Sequence, residues 1–157
     1  MNSLSIYLPH IMSKKGVDTK KTRVMVFGTF DGLHQGHINF FEQAKNFIKN
    51  SVLIVSIARD KNVLKIKGEY PAKNELERMA LVKKCKLIDR VVLSGIKNHL
   101  SHIVKMRPDI IALGYDQKAY VKNLKKDLKN KGILIKIIRL KSYKGKTYKN
   151  HLLKTKR

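Results

Sequence analysis

His34 and His37 stand three residues apart at the end of the run Val24-Met25-Val26-Phe27-Gly28-Thr29-Phe30-Asp31-Gly32-Leu33-His34-Gln35-Gly36-His37. The apolar start of that run reads as a buried strand, and a helix is expected to begin at the histidines. A strand–turn–helix of this kind aims backbone N–H groups and the positive end of a helix dipole at one point, which suits a phosphate. Two imidazoles one helical turn apart can reach two oxygens of a single phosphoryl group. Gly28 lets the backbone turn sharply and approach a ligand closely, while Gly36 keeps the helix entry open. Thr29, Phe30 and their amides are expected to line the same pocket. The chemistry this suits is phosphoryl or nucleotidyl transfer, in which catalysis is mostly positioning and electrostatic stabilisation of the equatorial oxygens.

A zinc site is the competing use of His34-x-x-His37. Structural zinc takes four N or S ligands and catalytic zinc three protein ligands. The chain has one cysteine, Cys85, and no further His or Cys lies near the pair. Cys85 falls in a helical pattern with Met79 and Val82 and reads as a buried, reduced thiol. A second His-x-x-His, His99 and His102, lacks a glycine loop and is assigned a surface or interface role.

The elements that must position these residues follow from the apolar pattern. Strands are expected at Val24–Phe27, Ser51–Ala58, Arg90–Leu93, Asp109–Gly114 and Ile133–Ile138. Helices are expected at Ile38–Lys49, from Asn74 to about Lys86, at Ile96–Met106 and at Ala119–Lys131. Asn74 followed by Glu77 has the form of a capping box, and Gly132 is a stop signal. Arg59–Ala72 reads as a charged connection. Near-continuous apolar strands alternating with helices predict an α/β fold with a five-stranded parallel sheet covered on both faces. In such sheets a ligand sits beyond the carboxyl ends of the strands where strand order reverses. The loops Gly28–His37, Arg59–Ala72 and Gly114–Gln117 are therefore the ones to watch. Residues 1–22 form a loose, lysine-rich lead-in, in which Met12 is an alternative start, and residues 23–157 form a single domain.

The 157 residues are 43% hydrophobic and carry 35 basic against 11 acidic groups, a net charge of +24. That field attracts polyanions, nucleic acid among them. However, 28 of the basic residues are Lys and only 7 are Arg, and they are spread along the chain. Solvated surface lysine is the main reading, with capture of anionic substrates second and RNA contact last. No apolar run approaches the ~20 residues that span a bilayer, and the first residues do not read as a signal peptide. A cytoplasmic protein is expected.

The run Gly28-Thr29-Phe30-Asp31-x-x-His34-x-Gly36-His37 resembles the signature of the cytidylyltransferase-like nucleotidyltransferases, the HIGH superfamily. Within it, Ala58-Arg59-Asp60, Lys65-x-Lys67-Gly68, Glu77-Arg78-x-x-Leu81-Val82, Asp89-Arg90-Val91-Val92-Leu93 and Arg107–Gln117 resemble the archaeal-type FAD synthases most. Gly114-Tyr115-Asp116-Gln117 is the subgroup's habit, where cytidylyltransferases tend to carry Gly-Asp-Asp. The resemblance spans about Arg23–Leu140. It implies a Rossmann-like, three-layer fold and transfer of a nucleotidyl group to a phosphomonoester with release of pyrophosphate, foremost ATP and FMN giving FAD.

By the same resemblance, His34 and His37 are catalytic. Gly28, Thr29, Phe30, Asp31, Gln35, Gly36, Gly114 and Asp116 join them in binding the nucleotide, and Lys65, Lys67 and Arg78 neutralise phosphates. Mg²⁺ or another divalent cation would be held through the nucleotide phosphates rather than by protein ligands alone. The alternatives are a CTP-dependent cytidylyltransferase acting on glycerol 3-phosphate or a similar ester, and a non-catalytic basic protein that binds nucleotide or RNA. A homodimer is left open. The chain departs from the superfamily near its end, where a Ser/Thr-rich element is usual. Between Lys141 and His151 only Ser142 and Thr147 supply such hydroxyls, with Lys146, Lys149 and Asn150 as substitute donors.

Overall fold

Valine- and isoleucine-rich runs pair here because their side chains fill both faces of a sheet. In a computed structural model, which describes residues 20–118 and 121–143, the order is β1 (Thr22–Gly28), α1 (Gln35–Asn46), β2 (Ser51–Ile57), α2 (Asp60–Lys67) and α3 (Glu75–Lys83). It continues with β3 (Arg90–Leu93), α4 (His99–Met106), β4 (Ile110–Leu113), α5 (Val121–Asn130) and β5 (Lys136–Arg139). All pairings are parallel, in the order β3-β2-β1-β4-β5. The expected α/β sheet is present, and its order is Rossmann-like. It reverses between β1 and β4, so the functional crevice belongs beyond Gly28 and Leu113.

The period-two alternation of the strands sorts the core into two layers. Val24, Val26, Leu53, Val55, Ile110 and Ala112 face Phe41 and Ala44 of α1 and Val82 of α3. Met25, Phe27, Ile54, Ile111 and Leu113 face Ile103 and Met106 of α4 and Leu124 and Leu128 of α5. Each central strand is thus buried on both sides.

Boundaries moved where tertiary partners or caps outweigh local pattern. Helix α1 starts three residues earlier than expected because His34 caps it, and His37 lies in its first turn. The Arg59–Ala72 connection contains α2, whose lysines are exposed and which fully buries only Val63. One inward residue leaves no apolar periodicity to detect. Helix α3 ends at Lys83 and α4 starts at His99, after the Asn98 cap. Strand β5 starts at Lys136 because that residue pairs with Ile110, while Ile133 and Ile135 pack against the α5 layer before pairing begins. Most of the 1–22 lead-in, the start of the Ala119 helix and the C-terminal segment from residue 144, with Lys146, Thr147, Lys149 and Asn150, lie outside the described residues.

Candidate functional site

The loop after β1 is shaped by one aromatic ring folded back beneath it. Phe30 has φ 51°, a conformation that non-glycine residues rarely adopt. Its ring is 3% exposed and packs against Phe41 at 5.1 Å, Phe40 at 6.5 Å and the His37 ring edge at 5.3 Å. A β-carbon on Gly28 would lie 2.5 Å from that ring. Gly28 is therefore a space that Phe30 fills, and the pair fixes the turn leading into α1.

At the start of α1 the two histidines stack, with ring centroids 3.8 Å apart and 24° between planes. The His37 amide donates to the His34 carbonyl at 2.9 Å and lies 3.4 Å from the His34 Nδ1 acceptor. Burial, with the His34 and Lys67 charges adding to it and a backbone hydrogen bond at Gly32 opposing, pushes the His37 pKa down to about 4. The imidazole is neutral near pH 7. Its Nδ1 is buried and has no hydrogen-bond partner among the described residues.

A cavity of about 970 Å³ surrounds this pair. Gly28, Thr29, Phe30, Asp31, His34, Gly36 and His37 line it from β1 and α1, and Gly114 and Asp116 from the loop after β4. Gln117 ties those two loops together, its Oε1 accepting from the Gly114 amide at 3.2 Å and its Nε2 donating to the Phe27 carbonyl at 3.4 Å. Arg139 at the end of β5 donates to the carbonyls of Gly114 and Gln117 at 2.7 and 3.0 Å. Lys141 and Tyr143, at the start of the C-terminal segment, also reach the cavity. The Gln43 side chain holds Lys141 by exchanging two hydrogen bonds with its backbone, at 3.0 and 2.9 Å.

Not every predicted residue reaches this space. Lys67 lines it, but Lys65 and Gln35 are exposed and do not. Arg78 corrects the expectation that it meets phosphate. Its side chain is fully buried, and it donates to the carbonyls of Thr29 at 2.6 Å, Ala58 at 2.8 Å and Lys73 at 3.0 Å, and to Asp60 at 2.6 Å. The asparagine and glutamate of the α3 capping box place it there. Asp31 also works on the protein itself, accepting from the Ala72 and Lys73 amides at 2.7 and 2.8 Å. Lys73, drawn in by those contacts, and Lys118 are cations in the cavity wall that sequence reasoning missed, and His99 lines it as well. Lysines at so many positions carry no positional signal. The absence of a glycine loop before His99 points to a surface or interface role, and the fold instead places it in the cavity wall. Among the described residues no three or more His, Cys, Asp or Glu side chains cluster as a metal site.

A family model described as Cytidylyltransferase-like matches residues 25–155. The chain belongs to this cytidylyltransferase-like family. It is 44% identical over 119 residues to a FAD synthase of Korarchaeum cryptofilum, covering 75% of this chain and 80% of the relative. It is 43% identical over 146 residues to a FAD synthase of Thermococcus sibiricus, covering 92% and 91%. Among solved structures, a lipopolysaccharide core biosynthesis protein from Thermoplasma volcanium superposes with a TM-score of 0.72 at 35% identity, covering 79% of this chain and 99% of that one. In this cytidylyltransferase-like chain, no helix of the described residues is long and apolar enough to cross a membrane.

Three outcomes follow from this geometry. Arg78→Lys should lower stability by about 3–5 kcal/mol in chemical denaturation, since one ammonium cannot serve three carbonyls and a carboxylate at once. Gly28→Ala should cost about 1–3 kcal/mol by the same measurement, because backbone or the Phe30 ring must give way. The third concerns acid. Folded His37 stays neutral down to about 4 while the unfolded chain binds the proton near 6.5, so acidification through that window favours unfolding. Lowered His99 and His102 act in the same direction. Thermal melts should show full stability above the window and a falling Tm through it, with a smaller fall in His37→Gln.

Proposed function

We propose that this chain is an FMN adenylyltransferase, joining ATP and FMN into FAD with release of pyrophosphate. The observation that carries the reading is the stacked His34–His37 pair, with His37 neutral, at the N-terminus of α1 in a cavity walled by the loops after β1 and β4. The FAD synthases with which it shares 37–44% identity support the choice of substrates.

In the proposed step, an oxygen of the FMN phosphate attacks the α-phosphorus of ATP. The bond from that phosphorus to the oxygen bridging to the β-phosphorus breaks, and pyrophosphate leaves with the electron pair. Thr29, Phe30 and the α1 N-terminus would cradle the α-phosphate with backbone N–H groups. His34 and His37 would stabilise the charge growing on its oxygens. Gly114 and Asp116 would hold the adenosine. Lys67 and Lys73, on the α2 side of the cavity, would neutralise the phosphate of FMN. A divalent cation fits as one carried in on the triphosphate, with Asp116 and Glu69 as the carboxylates on the cavity wall able to hold its water shell. Bound there, it would neutralise phosphate charge.

The test supplies ATP or CTP with FMN, glycerol 3-phosphate and other phosphomonoesters, and follows pyrophosphate and FAD. FAD from ATP and FMN is expected; turnover with CTP alone, or with no pair, would overturn the reading. His37→Ala should lower kcat about 10²–10³-fold with substrate binding largely kept, and full activity in that variant would overturn the proposed role of the histidines.

A further inference from the structure

The sheet order sets a sequence of groups along the carboxyl edge of the strands. From one side to the other the cavity meets the loop after β4, the paired histidines after β1, then Ser56 at the end of β2, the face of α2, and His99 after β3. The transfer point sits in the middle. An in-line displacement needs its attacking group to approach the phosphorus from the side away from the leaving group. With the nucleotide assigned to the β1 and β4 loops, the β2–β3 half is left for the acceptor.

That half has two chemically different walls. Helix α2 and the turn after it contribute Val63, Ile66 and Tyr70. Ile66 is 58% exposed and Tyr70 60% exposed, although both border a cavity. The end of β2 and the start of α4 contribute two polar groups. Ser56 is 1% exposed, lines the cavity, and has its Oγ 2.9 Å from His102 Nε2. His99, one helical turn before His102, lines the cavity as well. The second His-x-x-His pair, for which the sequence suggests a surface or interface role, thus puts one histidine in the wall and uses the other to orient a buried hydroxyl.

We propose that this half of the cavity is the subsite for the flavin ring. Ile66 and Tyr70 cover its apolar benzenoid part, and Ser56 and His99 hydrogen-bond the polar pyrimidine edge. His102 is a positioning residue that holds the Ser56 hydroxyl. The proposal rests on FMN being the acceptor. A flat ring that is apolar at one end and lined with alternating acceptors and a donor at the other matches such a pair of walls. A glycerol phosphate has no apolar surface for Ile66 and Tyr70 to cover.

The test uses the full chain, with riboflavin as a probe that carries the ring without the phosphate. Wild type should quench riboflavin fluorescence saturably, and Ile66→Ala and Tyr70→Ala should each weaken that binding and raise the FMN KM about tenfold. The ATP KM and kcat should stay as in wild type. Both side chains are exposed, so these variants should fold. Ser56→Ala should also raise the FMN KM, His102→Ala should follow it, and His102→Gln should restore most of the loss. Absence of riboflavin binding by wild type would overturn the subsite, as would variants that shift the ATP KM and leave the FMN KM alone. Riboflavin binding that responds to the variants, in a chain that makes no FAD, would uphold the subsite and overturn the adenylyltransferase reading instead.

Discussion

The buried guanidinium of Arg78 holds the walls of the cavity together, and the rest of the site depends on it. Four segments far apart in sequence converge on it: the β1 loop through Thr29, the end of β2 through Ala58, the start of α2 through Asp60, and the approach to α3 through Lys73. Removing such a charge from water is expensive, and the burial is tolerable because its planar fork is matched to fixed carbonyls and a carboxylate. Asp60 and Glu75 extend the arrangement by each accepting from the other's backbone amide, at 3.1 and 2.9 Å. Two helix N-termini are thereby capped by each other. Asp31 closes the same ring from the β1 side.

In a chain with a net charge of +24, the buried histidine of the cavity, His37, is neutral. The lysines stay largely in solvent, whereas burial and neighbouring positive charge keep His37 uncharged. In the proposed reaction, attraction for a phosphate at that point would come from backbone amides, the α1 dipole and imidazole nitrogens already held in place. Lys67 and Lys73 stand at the wall, where they would act on the phosphate charge of the acceptor. Preorganisation of this kind requires rigid loops, which is what Arg78, Asp31, Gln117 and Arg139 provide.

Some roles could be read from residues and others could not. Gly28 and the His34–His37 pair carry a local signal, because turn, cap and imidazole spacing act within ten residues of one another. The family resemblance implies a phosphate contact for Arg78. Whether its fork meets substrate or carbonyls is set by how far α3 is sunk against the sheet, which depends on contacts from four segments. Helix α2 escaped notice because it buries a single residue, Val63. The second histidine pair was misplaced for a related reason: β3 brings α4 beside Ser56 of β2, a neighbour 46 residues away from His102.

The sequence by itself determined the layers and the centre of the site. Two-sided apolar strands alternating with helices can satisfy their burial only as a covered parallel sheet, and a glycine turn running into a histidine-capped helix can only present amides and imidazoles at a strand end. The tertiary structure alone decided which polar side chains serve the protein and which face the cavity. That division rests on hydrogen-bond partners distant in sequence: Arg78 and Asp31 found theirs in the surrounding backbone, while His34 and His37 line the cavity.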